Sequence, residues 1–152
     1  MIAKQLTEIT EADLRSLISN EIPEGKSLDY KRDLLGSSKE AGAEFVADVV
    51  SFANTSGGDL VYGITEVAGV ASELVGVDIE NVDALALQLQ NICRDNTDHQ
   101  IPSLQLQAIP LPGGRYIYIV RIAQSWQQPH RSTRDRHFYA RNSNGKYPMD
   151  TT

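Results

Sequence analysis

Residues 49–64 read VVSFANTSGGDLVYGI, which predicts the end of a helix, a glycine turn and a strand. Upstream, Ser37–Glu40 has the pattern of a capping box, and apolar residues then recur at helical spacing up to Asn54. The two adjacent glycines end this helix because glycine accepts the backbone angles of a sharp turn. Asp59–Ile64 is short and mostly apolar, as expected for a strand.

A second strand before this helix completes a strand–helix–strand unit. Ser27–Arg32 follows the turn Pro23–Gly25 and alternates well, with Leu28 and Tyr30 on one face. Elements in this order usually form two neighbouring parallel strands joined by a right-handed crossover. We therefore expect Ser27–Arg32 and Asp59–Ile64 to lie side by side in one sheet.

The rest of the chain predicts two more helices and an antiparallel hairpin. The two helices are predicted from Thr10 to about Asn20 and from about Glu80 to Arg94, with a weaker strand between them at Glu73–Val77. The hairpin is formed by Leu104–Ala108 and Arg115–Ile122 around the turn Pro110–Gly114. After it we predict a loop at Gln124–Asp135, a strand at Arg136–Arg141 and a turn at Asn142–Lys146. This order predicts an α+β fold with a mixed sheet and with helices mainly on one face. We expect one domain over residues 1–152.

Length and composition agree with one globular domain. The chain has 152 residues, of which 41% are apolar and 22% charged, unlike a disordered or collagen-like chain. No apolar run is long enough to span a membrane and no signal pattern begins the chain, so we expect a cytoplasmic protein. Cys93 is the single cysteine, which excludes an internal disulfide, and its helical position predicts a core residue.

The net charge of −6 is unevenly distributed along the chain. Residues 1–110 contain seven Lys and Arg against 18 Asp and Glu, a net of −11. Residues 111–146 contain seven basic residues against Asp135 alone, a net of +6, and Asp150 adds the remaining negative charge. A basic segment on an acidic body can steer an anion to one face. The alternative is an arginine-rich loop that is only solvated.

Three acidic residues could meet at one edge of the predicted sheet. Glu24 lies in the turn before the first strand, Asp29 within that strand, and Glu66 just beyond the strand Asp59–Ile64. Converging carboxylates would bind Mg²⁺ or Mn²⁺, which phosphodiester hydrolysis needs to activate water. Lys31, on the same strand face as Asp29, would then support a scissile phosphate. The alternative is that all three carboxylates are simply solvated.

Several of these motifs resemble the Schlafen AlbA family. Glu24–Lys31 is similar to the family's Glu followed by a Leu-Glu-Phe-Lys-like strand, and Phe52–Gly63 is similar to its Ala-Phe-Ala-Asn-Thr-x-Gly-Gly stretch and the strand that follows. His130, Phe138-Tyr139-x-Arg141 and the Pro148-Met149 end are similar to its C-terminal signature. The resemblance covers roughly residues 21–149.

The resemblance implies an α+β nucleic-acid-binding fold and, in the animal Schlafens, an RNA endonuclease directed at tRNA and rRNA through three carboxylates. Carried over by position, Glu24, Asp29 and Glu66 would be the catalytic and metal-binding carboxylates. Asp29 departs from the Glu that the family usually has there, and Thr65-Glu66 departs from the acidic pairs of the nucleases. Many bacterial members look like regulators that begin with this domain, so we expect a fragment or a short member.

We predict a nucleic-acid-binding domain that contacts the RNA or DNA backbone through its basic C-terminal segment and needs no cofactor for binding. The residues expected to bind are Arg121, His130, Arg131, Arg134, Arg136, Arg141 and Lys146. Two alternatives stay open: an Mg²⁺- or Mn²⁺-dependent endoribonuclease, and an oligomerisation module of a transcriptional regulator. Animal Schlafen cores resemble a clamp of two related lobes and this chain holds one copy, so we expect a homodimer.

Overall fold

The computed structural model describes residues 1–101 and 104–149. The α-helices are α1 (Glu11–Ser19), α2 (Lys39–Ala53) and α3 (Val82–Asp95). The strands are β1 (Leu28–Lys31), β2 (Gly58–Tyr62), β3 (Ile64–Val67), β4 (Val70–Leu74), β5 (Thr97–Asp98), β6 (Leu104–Pro110), β7 (Tyr116–Ile122), β8 (Arg131–Ser132), β9 (Tyr139–Asn142) and β10 (Gly145–Pro148). Within the described residues, no helix is both long enough and apolar enough to cross a membrane.

A mixed sheet with the strand order β1-β2-β7-β6 organises the fold. β1 and β2 are parallel neighbours connected through α2, which confirms the predicted crossover. β7 is antiparallel to both β2 and β6. The predicted hairpin between Leu104–Ala108 and Arg115–Ile122 is therefore confirmed as β6 and β7.

Alternation along the central strands gives this sheet two buried faces. Val61 belongs to the core cluster that contains Leu14 of α1. Leu60, its neighbour in the chain, belongs to a second cluster with Phe45 of α2 and Leu89 of α3. Helices α2 and α3 thus cover one face and α1 the other, in agreement with the predicted α+β class. Cys93 is buried in the second cluster, and burial raises the pKa of its thiol to about 12.

The ends of α2 follow directly from the residues found there. The Ser38 side chain caps the N-terminus by accepting a hydrogen bond from the Ala41 amide at 3.1 Å. At the other end, Gly57 has a φ of 75°. A β carbon at Gly57 would lie 2.7 Å from the Ile122 carbonyl oxygen and 2.8 Å from the Gln124 nitrogen. Glycine is required because this turn packs directly against the end of β7.

The predicted strand Asp59–Ile64 is divided at Gly63. Gly63 has a φ of 99°, and a β carbon there would lie 2.9 Å from the α carbon of Gly76. The chain therefore leaves the main sheet after β2, and β3 pairs with β4 as a separate hairpin. The prediction of a strand at Glu73–Val77 is wrong in its bounds, because the Val75 amide already donates to the Gly63 carbonyl oxygen beyond the end of β4.

The C-terminal segment forms a hairpin that the sequence patterns did not predict. The strand expected at Arg136–Arg141 is shifted towards the C-terminus as β9, and the predicted turn at Asn142–Lys146 is cut short by β10. β9 and β10 pair in antiparallel register. This hairpin packs against α2 beside β1, and its position creates the site described next.

Candidate nucleic-acid interface and the charged pocket beside it

Four of the predicted site residues line one pocket, which we call the charged pocket. It has a volume of about 630 Å³ and lies between the turn that precedes β1, the β3–β4 turn and the β9–β10 hairpin. Glu24 and Asp29 line it from the side of β1, and Arg141 and Lys146 line it from the hairpin. The fold therefore brings together residues that are more than 110 positions apart in the sequence.

Glu24 lines the charged pocket while its carboxylate is anchored to β1. Its Oε1 accepts a hydrogen bond from the Tyr30 amide at 2.9 Å, and its own amide donates to the Gly69 carbonyl oxygen at 2.7 Å. Burial raises the pKa of Glu24, and the charges of Asp29 and Glu66 raise it further. The hydrogen bond from the Tyr30 amide lowers this pKa, but its effect is smaller than the effect of burial, so the pKa remains raised.

The third predicted carboxylate, Glu66, does not line the charged pocket. It is exposed on the β3–β4 hairpin, and its Oε2 accepts a hydrogen bond from the Gly69 amide. The carboxylate therefore stabilises the β3–β4 turn. Its charge still affects Glu24, but the side chain does not converge with Asp29.

Behind the pocket, β1, α2 and the hairpin share a set of alternating charges, which we call the ion-pair cluster. Its members are Asp29, Lys31, Glu44, Asp48, Arg141 and Lys146. The ammonium of Lys31 lies 3.2 Å from Asp48, 3.4 Å from Glu44 and 3.7 Å from Asp29. The ammonium of Lys146 lies 2.7 Å from Glu44 and 2.9 Å from Asp48. Asp29 and Lys31 lie on the same face of β1, as predicted. The Lys31 ammonium, however, contacts three carboxylates of the cluster.

Arg141 completes this cluster from the hairpin. Its side chain is 1% exposed, and Nη2 donates to the Gly25 carbonyl oxygen at 3.0 Å and to Asp29 at 3.3 Å. The guanidinium carbon lies 4.1 Å from the centre of the Phe52 ring, an attractive cation–π geometry. Three cations and three carboxylates therefore offset one another within the cluster.

The pKa values of the cluster reflect this mutual compensation. Burial lowers the pKa of both Lys31 and Lys146, but the surrounding carboxylates outweigh burial, so both pKa values are raised. Burial raises the pKa of Glu44, but the two lysines reverse that effect and lower it. For Asp48, burial prevails over both lysines, and its pKa is raised. Both lysines therefore remain charged at neutral pH.

Asn54 and Thr55, in the motif that follows α2, fix the basic C-terminal segment. The Asn54 side chain donates to the carbonyl oxygens of His130 and Tyr139 at 2.8 and 2.9 Å, and accepts from the His130 amide at 2.6 Å. The Thr55 hydroxyl accepts from the Arg141 amide at 2.9 Å. These bonds satisfy backbone groups of an irregular segment and hold it over the end of α2.

Besides Arg141, two more of the predicted binding residues are largely shielded from solvent. Arg121 lies on the sheet face that α1 covers, where its guanidinium pairs with the fully buried Asp59 at 2.8 Å. It also donates to two carbonyl oxygens of the N-terminal segment. His130 is fully buried, with Nδ1 donating to the His99 carbonyl oxygen at 2.8 Å and Nε2 lying 2.6 Å from the Ser125 hydroxyl.

The remaining predicted arginines lie together on what we call the exposed turn, Arg131–Arg136. Arg131 is half-buried and pairs with Asp98 at 2.8 Å. Arg134 is exposed, and its Nε donates to the side-chain oxygen of Asn96 at 2.8 Å. Arg136 is exposed as well, and neither it nor Arg134 pairs with a carboxylate among residues 1–101 and 104–149.

Residues 24–150 match the family described as Schlafen, AlbA_2. That match includes the strand–helix–strand unit, the charged pocket and the segment held by Asn54. The chain belongs to this Schlafen AlbA family. A comparison with curated proteins finds no match.

Two solved structures share the fold of this Schlafen AlbA domain. The crystal structure of the DIP2311 protein from Corynebacterium diphtheriae superposes with a TM-score of 0.61 at 19% identity, over 91% of this chain and 29% of that one. The chain thus spans under a third of that protein's length. The solution structure of the N-terminal domain of a protein from Nitrosomonas europaea, named as related to the ATP-dependent DNA helicase RecG, gives a TM-score of 0.50 at 21% identity, over 73% of this chain and 70% of that one.

The resemblance noted in the sequence implied a metal ion held by Glu24, Asp29 and Glu66, but the donor set of this Schlafen AlbA domain does not fit one. Glu66 is bonded to the β3–β4 turn, and Asp29 lies between Arg141 and Lys31. Among the described residues, no group of three or more His, Cys, Asp or Glu side chains is arranged to hold a metal ion. The positive charge beside Asp29, where the resemblance implied a metal ion, comes from Lys31 and Arg141.

Glu44 and Asp48 are site residues that the sequence patterns did not single out. They lie four positions apart on α2, so they project from the same side of the helix. Asp48 is 1% exposed and follows the apolar residues Phe45 and Val46. An acidic residue inside the apolar stripe of a helix is the available signal, because a buried carboxylate needs a cationic partner. The identity of that partner depends on the tertiary fold.

Proposed function

We propose that this Schlafen AlbA domain binds the phosphate backbone of RNA or DNA through the exposed turn Arg131–Arg136. The observation that carries this proposal is a contrast within the basic segment. Carboxylate partners are present for Arg115, Arg121, Arg131, Arg141 and Lys146. Arg134 and Arg136 are exposed and lack such a partner within the described residues. Cations of this kind can exchange their counterions for phosphate without first breaking an ion pair.

The first turn of α2 adds positive potential beside Arg134. A β carbon at Gly42 would lie 3.6 Å from Nη2 of Arg134, so the guanidinium is close to the start of this helix. Lys39 is exposed three positions before Gly42 and therefore lies on a neighbouring part of the helix surface. The N-terminus of a helix carries a partial positive charge that favours anions. Lys39 and Arg134 thus lie near the same end of α2.

The comparisons support a role with nucleic acid. The Nitrosomonas europaea protein that shares the fold is named for its relation to a DNA helicase. The chain's family and fold are consistent with a domain that places a larger protein on nucleic acid. The choice between RNA and DNA is left to experiment, because phosphate contacts do not distinguish them.

The direct test is the salt dependence of binding. Anisotropy of labelled single-stranded RNA and DNA would be measured over a series of salt concentrations for the wild type and for the Arg134→Ala/Arg136→Ala variant. Two lost phosphate contacts reduce the slope of log affinity against log salt by about 1.4 on a single strand. The matched control, Arg15→Ala/Arg94→Ala, removes two exposed arginines elsewhere and should retain the wild-type slope. An unchanged slope in the first variant would remove the turn from the interface.

The proposal is for binding without cleavage. End-labelled tRNA incubated with the domain and Mn²⁺ should keep its full length on a denaturing gel. A shortened product that is absent with the Asp29→Asn variant would instead establish the endoribonuclease alternative. Persistence of the product with that variant would indicate a contaminating nuclease.

The homodimer stays a prediction. Light scattering should give twice the mass of one chain, with and without an oligonucleotide. A monomer at every concentration would contradict it. A dimer that binds no nucleic acid under any condition would favour the alternative of an oligomerisation module.

A further inference from the structure

The single tryptophan of the chain, Trp126, lies almost completely in solvent. Its side chain is 96% exposed, in the loop between β7 and β8. The next most exposed large apolar side chain in the described part of the chain is Val67, at 68%. An indole ring in this position contributes almost nothing to the folded core, because hydrophobic stabilisation depends on area removed from water.

The backbone around Trp126 is nevertheless firmly held. The preceding residue, Ser125, is buried, and its amide donates to the Ala53 carbonyl oxygen at 3.0 Å. The Ser125 hydroxyl lies 2.6 Å from Nε2 of the buried His130 and accepts from the Gln127 amide at 3.1 Å. The Ser125 side chain therefore holds the backbone on both sides of Trp126, and the exposed ring projects from a loop that is fixed to the core.

The loop that carries Trp126 leads directly into the exposed turn Arg131–Arg136. His130 ends the loop and Arg131 starts the exposed turn, and Asn54 bonds to His130 and Tyr139, which lie on either side of that turn. The aromatic ring and the exposed Arg134 and Arg136 thus belong to one short segment with a common anchor. No charged residue lies between Ile122 and His130, so the loop itself carries no carboxylate that would repel a phosphate chain.

We propose that Trp126 stacks on an unpaired nucleobase of a single-stranded nucleic acid whose phosphates contact Arg134 and Arg136, an inference that rests on the proposed function. Proteins bind single strands without sequence preference by combining aromatic rings that stack on bases with cations that contact the phosphates. A duplex would not supply this contact, because its base faces are already stacked on each other. A membrane or protein contact is disfavoured because Trp126 is flanked by the exposed polar residues Gln124, Gln127 and Gln128, which leaves the ring without an apolar patch.

The test compares oligothymidylate, an abasic oligonucleotide of the same length, and a duplex. Emission from the single tryptophan should be quenched by oligothymidylate and unchanged by the abasic strand. Trp126→Ala should weaken binding of oligothymidylate by about tenfold and leave the abasic strand unaffected, whereas Trp126→Phe should retain most of the affinity. Since the side chain is exposed, circular dichroism should show both variants folded.

The outcomes separate this inference from the proposal on which it rests. If Trp126→Ala binds oligothymidylate like the wild type while Arg134→Ala/Arg136→Ala does not, stacking is wrong and backbone binding stands. If the wild type binds none of the three nucleic acids, both proposals fail. A blue shift of the emission with lipid vesicles or with rising protein concentration alone would overturn stacking in favour of a membrane or protein contact.

Discussion

The ion-pair cluster and the exposed turn use the same kinds of side chain in opposite ways. In the cluster, Arg141 and Lys146 compensate carboxylates of β1 and α2, and Arg141 is almost completely buried. On the turn, Arg134 and Arg136 extend into solvent without a carboxylate partner in the described residues. The net charge of a segment therefore does not indicate how much of it is available to a ligand. A cation is available only where it has no carboxylate partner, and the fold determines which cations have one.

The largest expected effect comes from breaking the cluster at its most buried member. Asp48→Ala would leave Lys31 and Lys146 with less compensation inside the protein, and we expect the free energy of unfolding in urea to fall by about 3–5 kcal/mol. Glu44→Ala is the matched control, because Glu44 contacts the same two lysines but its side chain is 55% exposed. That variant should lose less than about 1 kcal/mol. Equal losses would show that burial does not distinguish the two carboxylates.

An intermediate effect is expected where the two regions are joined. Asn54→Ala removes three hydrogen bonds to the backbone of His130 and Tyr139, and we expect a loss of about 2–3 kcal/mol. Amide hydrogen exchange should become faster throughout residues 130–139. Asn81→Ala, which removes the N-cap of α3, should cost about 1 kcal/mol and leave exchange in that segment unchanged. Unaltered exchange in Asn54→Ala would show that the turn is held by other contacts.

The smallest effect is a difference in pH dependence between Glu24 and Glu44. Burial raises the pKa of Glu24 above its ordinary value of 4.5, so its contribution to stability is present below that value and is lost as pH rises. For Glu44 burial acts in the same direction, but Lys146 and Lys31 prevail and lower its pKa. Its contribution is therefore present above 4.5 and is lost as pH falls.

Urea midpoints measured from about pH 3 to about pH 7 test this difference in sign. Relative to the wild type, Glu24→Gln should gain stability as pH rises, whereas Glu44→Gln should lose it. Each change should be below about 1 kcal/mol, because both side chains are partly exposed. Parallel curves for the two variants would contradict the assigned pKa directions.

Local patterns predicted the elements that organise the sheet. The capped helix before Asn54, the strand that begins at Asp59 and the hairpin that ends at Ile122 were correct because periodicity and turn residues act over short distances. The break at Gly63 depends on contact with Gly76, and no local pattern encodes that contact. The β9–β10 hairpin depends in the same way on packing against α2.

The candidate site was less predictable than the fold because its contacts cross long stretches of chain. Glu24, Asp29, Arg141 and Lys146 were identified as site residues, but their assignment to one pocket required the fold. The partners of Arg121 and Arg141 could not be inferred from charge alone. Trp126 lies in the predicted loop Gln124–Asp135, but a loop position does not establish exposure, which the structure provides.

The most direct test of the central claim is a ¹⁵N NMR titration of the domain with a short single-stranded oligonucleotide. We expect the largest changes at the indole N–H of Trp126 and along the exposed turn Arg131–Arg136. Signals of Asp29, Lys31 and Lys146 should remain in place, because the ion-pair cluster already offsets its own charges. Changes concentrated at those three residues, with the turn unaffected, would contradict the claim and place the ligand in the charged pocket.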